Sequence, residues 1–234
     1  MHQETPFMAQ EADRAFAVLK SGGVAIMPMD VGYSAIGGSY AALRRIFDAK
    51  RRQPTKFNAM IGDNDLAREL YVLPDEGWAA FDAITVDDDL PLGVIGPCRM
   101  DHPILATMEP DALSMSTKDG TLCMLTNAGP FHAAISRRSR EAGHALFGSS
   151  ANLSLAGTKF QAVDIEPEIR DVADIVIDHG LRKCWPYRAS STLLDLSTFE
   201  VVRYGSSYEL IQDTMQRRFG VPLPNAPQPL RIQD

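Results

Sequence analysis

The sequence predicts an α/β fold, a single twisted β-sheet of mixed strand direction flanked by helices, and three observations carry that reading. Short apolar runs of strand length alternate with segments of helical periodicity along the whole chain. Some connections are too short for the crossover that parallel neighbours require, so the sheet must mix directions. The 234 residues are 45% hydrophobic, enough for one large core.

The elements follow in order. Ala12, Ala15, Phe16, Val18 and Leu19 share roughly one helical face within residues 8–19, and Gly22-Gly23 stops that helix. Val24-Ala25-Ile26-Met27 reads as a buried strand that delivers Pro28 and Asp30 to its C-terminal edge. Tyr40, Leu43, Ile46 and Phe47 then place a second helix that ends near Lys50. A strand is expected over 57–61, a helix over 63–71 with Asp63 as its cap, and a further helix from Pro74 to the run Asp87-Asp88-Asp89, a solvated turn. Strands over 121–125 and 145–147 enclose a helix over 131–141, stopped by Gly143. Strands over 175–177, 191–196 and 200–203 precede a last helix over 208–219. No repeat or linker interrupts residues 1–221, read as one domain. Pro222, Pro224, Pro227 and Pro229 mark 222–234 as an extended or disordered tail.

Composition excludes several classes. No stretch approaches the roughly 18 apolar residues of a membrane span. Met1-His2-Gln3-Glu4 lacks the regions of a signal peptide, so a cytosolic protein without membrane contact is expected. Cys98, Cys123 and Cys184 are odd in number and far apart, which indicates neither a disulfide framework nor a zinc knuckle; they read as small buried or neutral thiols. A net charge of −7 argues against nucleic-acid binding over a whole face, though two basic clusters stand out, Lys50-Arg51-Arg52 and Arg137, Arg138, Arg140. No aromatic residue is interleaved with the triplet, so RNA is expected to bind weakly at most. His102, His132, His144 and His179 are dispersed and read as ordinary polar or core residues, and no metal site is expected.

Four clusters could carry chemistry. Pro28-Met29-Asp30-Val31-Gly32-Tyr33 follows a buried strand, where open α/β sheets place ligands, although Asp30 and Gly32 also fit a plain turn. Lys50-Arg51-Arg52, with Lys56 following, offers a compact charge beside planar forks suited to phosphate, bicarbonate or carboxylate; a solvated helix end is the alternative. Gly148-Ser149-Ser150-Ala151-Asn152-Leu153-Ser154 is small and polar, as close approach to phosphate oxygens requires, yet lacks the Gly-Lys-Ser/Thr of a Walker loop. Ser190-Ser191-Thr192-Leu193-Leu194-Asp195 precedes Val202-Arg203-Tyr204-Gly205.

Taken in order, these clusters resemble the YrdC-like family over roughly residues 10–210. That family carries Pro-Thr-Asp-Thr-x-Tyr, Lys-x-Arg, Ser-Ala-Asn, Ser-Thr-x-x-Asp and Arg-x-Gly. Pro28, Asp30 and Tyr33 match the first motif, Lys50 and Arg52 the second, and Ser150-Ala151-Asn152 the third. Ser191, Thr192 and Asp195 match the fourth, and Arg203 with Gly205 the fifth. The chain departs at Met29 and Val31, which replace two threonines, at Ser34-Ala35, and at Gln53, where a proline is usual. Ile95-Gly96-Pro97 resembles a remnant of Pro-Gly-Pro, and Leu125-Thr126-Asn127 stands where the family has Arg-x-Pro.

The resemblance implies a stand-alone nucleotidyltransferase of the L-threonylcarbamoyladenylate synthase type, active in the context of tRNA modification. Bicarbonate and threonine give a carbamate that attacks the α-phosphate of ATP and expels pyrophosphate. It further implies that Lys50 and Arg52 are catalytic, holding carbamate and phosphates, and that Ser150, Asn152, Ser191 and Arg203 bind nucleotide. Asp30 and Tyr33 would bind the amino acid in a pocket made apolar by Met29 and Val31, which disfavours threonine. Magnesium would arrive with the ATP phosphates. Two other readings stand beside this one: a paralogue that adenylates a different carbamate or carboxylate, and a non-catalytic nucleotide- or RNA-binding domain.

Overall fold

A computed structural model describes residues 4–52 and 56–227; Gln53 and residues 228–234 of the predicted tail lie outside them. Helix α1 (Pro6–Lys20) starts where the Thr5 hydroxyl accepts the Met8 N–H at 3.3 Å and Pro6 occupies the first helical position. Its Ala12, Ala15 and Leu19 are buried on one face. Strands β1 (Val24–Met29) and β2 (Gly32–Gly37) form an antiparallel hairpin closed by Asp30-Val31. Ser39 then caps α2 (Tyr40–Ala49) through the Ala42 N–H at 3.2 Å, and burial of Ala42, Leu43 and Ile46 fixes the helix so that Lys50 becomes its C-cap.

Beyond β3 (Ala59–Ile61), the Asp63 carboxylate accepts the Leu66 N–H at 2.8 Å and begins α3 (Asn64–Leu70). Helix α4 (Asp75–Asp82) continues into a π turn, Ala83–Asp87, followed by β4 (Leu92–Pro97), α5 (Pro103–Ala106), α6 (Pro110–Ser114), β5 (Thr117–Lys118) and β6 (Thr121–Thr126). Then come α7 (Pro130–Glu141), β7 (Phe147–Ser150), α8 (Pro167–Arg170), β8 (Ile175–Val176), β9 (Leu193–Asp195), β10 (Val201–Arg203) and α9 (Tyr208–Phe219).

The strands join one mixed sheet in the order β10-β9-β4-β6-β3-β7-β2-β1-β8, with β5 paired to β6. Three pairs are parallel, β1/β8, β3/β6 and β4/β9. One face is covered near β1 and β2 by α2, which packs Ala42 and Ile46 on Val24, Ile26, Tyr33 and Ala35. Near β4 and β6 the α3, α4 and α9 helices bury Leu66, Phe81 and Ile211 against Val94 and Met124. On the opposite face α1 and α7 seat Leu19, Phe131 and Ile135 on Met27 and Met29 of β1, Ile61 of β3 and Leu125 of β6.

Four expectations change. The segment after Asp30 is a strand, not a loop; covered on both faces, it shows no alternation for a sequence reading to detect. Strand β4 goes unpredicted because Gly93, Gly96 and Pro97 depress its intrinsic propensity, while its place between β6 and β9 supplies the missing stabilisation. The strand expected over 145–147 is displaced to Phe147–Ser150, so Gly148-Ser149-Ser150 is sheet. The run Asp87-Asp88-Asp89 is not simply solvated: Arg218 pairs with Asp87 at 2.6 Å and Asp88 at 3.2 Å, and Asp89 accepts from Asn127 at 3.0 Å. The start of the tail packs on α9, with Leu223 buried and its carbonyl accepting from Gln212 at 2.9 Å.

Candidate functional site

Residues of β2, β7, β3, β6, β4 and β9 floor a cavity of about 610 Å³. Cross-strand neighbours share a face, so the register builds the floor directly. Ser34 lies beside Ser150, and Ile36 beside Gly148, which in turn neighbours Ala59. Ile61 lies beside Leu125, Leu125 beside Gly93, and Gly93 beside Leu193. Small residues keep this floor low. At Gly93 a Cβ would run into the Leu193 side chain and approach the Thr192 carbonyl, so glycine is what lets β4 and β9 meet beneath the cavity.

The walls are cationic. Lys50, Arg51, Arg52, Lys56 and Arg203 all line the cavity, and among the described residues no Asp or Glu does. Lys50, buried at the end of α2, donates from Nζ to the carbonyls of Asn152 at 2.5 Å and Ser150. Arg52 donates to the Phe57 carbonyl at 2.5 Å, and Arg203 to the Ser191 carbonyl at 2.7 Å and hydroxyl at 3.2 Å. These are neutral partners that orient the cations without cancelling their charge.

Burial first, and then the Arg52 charge, press the Lys50 ammonium down to about 7. Burial and the Arg203 charge likewise press Arg52 down to about 10. Arg203 is lowered by burial. The Glu166 charge offsets this lowering at Lys50 only in part, and an anion in the cavity would favour the charged form of all three. The second basic cluster behaves in the opposite way: Arg137 and Arg138 pair with Glu4, Arg138 also with Asp13 at 2.7 Å, and Arg140 with Asp65 at 3.0 Å.

The structure brings Lys50, Arg52, Ser150, Asn152, Ser191 and Arg203 to one cavity. It does not bring Asp30 and Tyr33 there. Asp30 is buried against Arg182 at 3.4 Å, and its backbone holds Ala128 and Cys184. Gly129, at φ +100, passes so close that a Cβ would meet the Asp30 carboxylate. The Tyr33 hydroxyl donates to Asp178 at 2.7 Å, which ties β2 to the loop after β8. Met29 and Val31 are core residues, packed with Ala12, Ala128 and Phe131, and do not shape the cavity as expected.

Sequence reasoning missed Ser34, Gly93, Cys123 and Leu125 as lining residues. Alternation along β6, where Cys123 and Leu125 point one way and Leu122 and Met124 the other, is the signal that could have found two of them. Burial pushes the Cys123 thiol up to about 11, against the lowering effect of Arg203 and Arg52, so it is held as a neutral thiol. Two buried atoms in the lining residues, Ser149 Oγ and Asn152 Oδ1, have no hydrogen-bond partner among the described residues. No group of three His, Cys, Asp or Glu side chains converges as a metal site among the described residues. Nor, among the described residues, is any helix long and apolar enough to cross a membrane.

A family model, Sua5/YciO/YrdC, described as telomere recombination, matches residues 17–205. No curated protein matches the chain. Among solved structures, a hypothetical protein of Streptococcus mutans is 20% identical with a TM-score of 0.69, over 90% of this chain and 92% of that one. P. abyssi Sua5 complexed with L-threonine is 18% identical with a TM-score of 0.67, over 92% of this chain and 59% of that one. E. coli YciO is 17% identical with a TM-score of 0.64, over 84% of this chain and 90% of that one.

Proposed function

The chain belongs to the Sua5/YciO/YrdC family, and from that premise we propose that it binds ATP in the cationic cavity and converts a carbamate or carboxylate into its adenylate, releasing pyrophosphate. One observation carries this reading: in a chain of net charge −7, five cations and no acid among the described residues surround a cavity of about 610 Å³. That volume accommodates a nucleotide-sized ligand. In-line attack on the α-phosphate asks mainly for positioning and charge neutralisation, which fixed cations supply at little reorganisation cost.

In this reading Arg52 and Arg203, already oriented by carbonyls, clamp the phosphates and stabilise charge as pyrophosphate leaves. Lys50 neutralises the attacking carboxylate or carbamate. Ser150 and Asn152 end β7 beside Lys50 and contact the nucleotide, and Ser191 holds Arg203 in place. Magnesium, delivered with ATP, supplies further neutralisation of the polyphosphate. The L-threonine-bound P. abyssi relative supports a threonine carbamate as the family-level acceptor. Pyrophosphate release from ATP, measured with bicarbonate and a panel of amino acids and acids, tests the proposal: release that depends on an acceptor supports it, and none with any acceptor refutes it.

A further inference from the structure

Joining an amino acid to bicarbonate releases a proton. The amino group enters as an ammonium without a lone pair, so a group in the site must accept that proton before nitrogen can attack. Among the described residues that line the cavity there is no Asp, Glu or His, and Cys123 is held as a neutral thiol. Guanidinium groups such as Arg52 and Arg203 keep their protons at neutral pH, and Lys56 is exposed to solvent.

Lys50 is built differently. It is buried, and its Nζ donates to two carbonyls, that of Asn152 at 2.5 Å and that of Ser150. A neutral amine keeps two N–H donors and one lone pair. Both carbonyls therefore stay satisfied when Lys50 has lost a proton, and the lone pair takes the remaining tetrahedral position, toward the cavity that Lys50 lines. Burial and the Arg52 charge favour that neutral form and hold Lys50 at about 7. Glu166 opposes them only in part, because its carboxylate is engaged by Lys159 at 2.7 Å and by the Leu153 N–H at 3.3 Å.

We propose that Lys50 is the general base of carbamate formation: its neutral amine takes a proton from the substrate ammonium, and the resulting cation stays to hold the carbamate. The proposal rests on the adenylate reading above, in the form that uses an amino acid and bicarbonate, and assigns the proton step within it. An N–H bond of the ammonium breaks and the proton goes to the Nζ lone pair. The freed amine attacks the bicarbonate carbon and an N–C bond forms. The C–OH bond breaks, and that oxygen leaves as water with a second proton from nitrogen. Ammonium, bicarbonate and neutral Lys50 become carbamate, water and charged Lys50, and no redox equivalent is consumed. Anions gathered in the cavity favour the charged lysine, so loading the site strengthens Lys50 as an acceptor.

The test is the pH dependence of kcat/KM between about pH 6 and 9, followed on the full chain as pyrophosphate release from ATP with bicarbonate and an amino acid, beginning with L-threonine. The parent protein should rise through about 7 and then level off, because above that value the base is ready. Lys50→Arg keeps the charge but cannot shed a proton in this range. Near neutral pH it should lose at least about hundredfold, and its rate should go on rising with pH as free amine becomes available from solution, so that the deficit narrows. Profiles of the same shape in parent and variant overturn the proposal and leave Lys50 a fixed charge. So does a parent rate that climbs through the whole range, a readout that stands even where the variant does not fold. Release with carboxylic acids and with no amino acid also overturns it and leaves the adenylate reading intact. No pyrophosphate release by the parent protein with any acceptor overturns both.

Discussion

Lys50 Nζ lies 2.5 Å from the Asn152 carbonyl oxygen and also donates to the Ser150 carbonyl, so the end of α2 is tied to the end of β7 across a hundred residues of sequence. Ser154 returns the tie, donating its hydroxyl to the Lys50 carbonyl at 2.7 Å. Two motifs that are distant in the chain are thereby one rigid corner of the cavity.

Anion binding should take up protons through Lys50. Burial and Arg52 hold it at about 7, below its ordinary 10.5, and an anion favours the charged form. The free protein therefore binds fewer protons at this site between those values than the complex does. Nucleotide affinity should rise as pH falls from 9 to 7. Calorimetry in buffers of different ionisation enthalpy should report proton uptake in the parent protein and none at this site in Lys50→Met.

Arg52→Ala and Arg203→Ala should each weaken ATP binding by about 1.5–3 kcal/mol, the scale of a charge-assisted contact. The Arg203 charge acts on Arg52 and lowers it. The double variant should therefore depart from the sum of the singles, as a titration of all three variants can check.

Gly93→Ala should destabilise the fold by about 1–3 kcal/mol, since the new Cβ meets Leu193 and the Thr192 carbonyl in a packed strand pair. Urea unfolding should show a lower midpoint with an unchanged slope.

His132 should make the protein acid-sensitive. Burial holds it down to about 4 from an ordinary 6.5, against the raising effect of the Leu125 carbonyl at 3.0 Å from Nε2. Between those values the unfolded chain binds a proton that the folded one does not, so stability falls as pH falls through that window. At about 1.36 kcal/mol per pH unit the full loss is about 3 kcal/mol. His132→Gln, which keeps a donor but does not titrate, should lose less stability between pH 7 and 4.5 in parallel urea curves.

The order of α1, α2, α3, α7 and α9 was legible because caps such as Asp63 and one-sided faces such as Ala12, Ala15 and Leu19 are local signals. Strands β2 and β4 were not, because both are stabilised by neighbours rather than by their own pattern. The cationic residues of the site were legible by residue type; what made them a site was not. Lys50-Arg51-Arg52 and the Arg137 cluster look alike in sequence, and only the fold shows that acids neutralise the second and that none of the described residues lining the cavity around the first is an acid. The floor residues Gly93, Cys123 and Leu125 meet through strand register between segments about thirty residues apart, beyond the reach of a local pattern. Asp30 and Tyr33 carried the right motif, yet their side chains secure the Arg182 and Asp178 loops.

The central claim is that the cationic cavity is a nucleotide site. Calorimetric titration of a non-hydrolysable ATP analogue with magnesium, into the parent protein and into Arg52→Ala and Arg203→Ala, tests it most directly. The account predicts saturable binding at one site, weakened about tenfold or more in each variant. Affinity unchanged in both variants, or no binding by the parent protein, would contradict it.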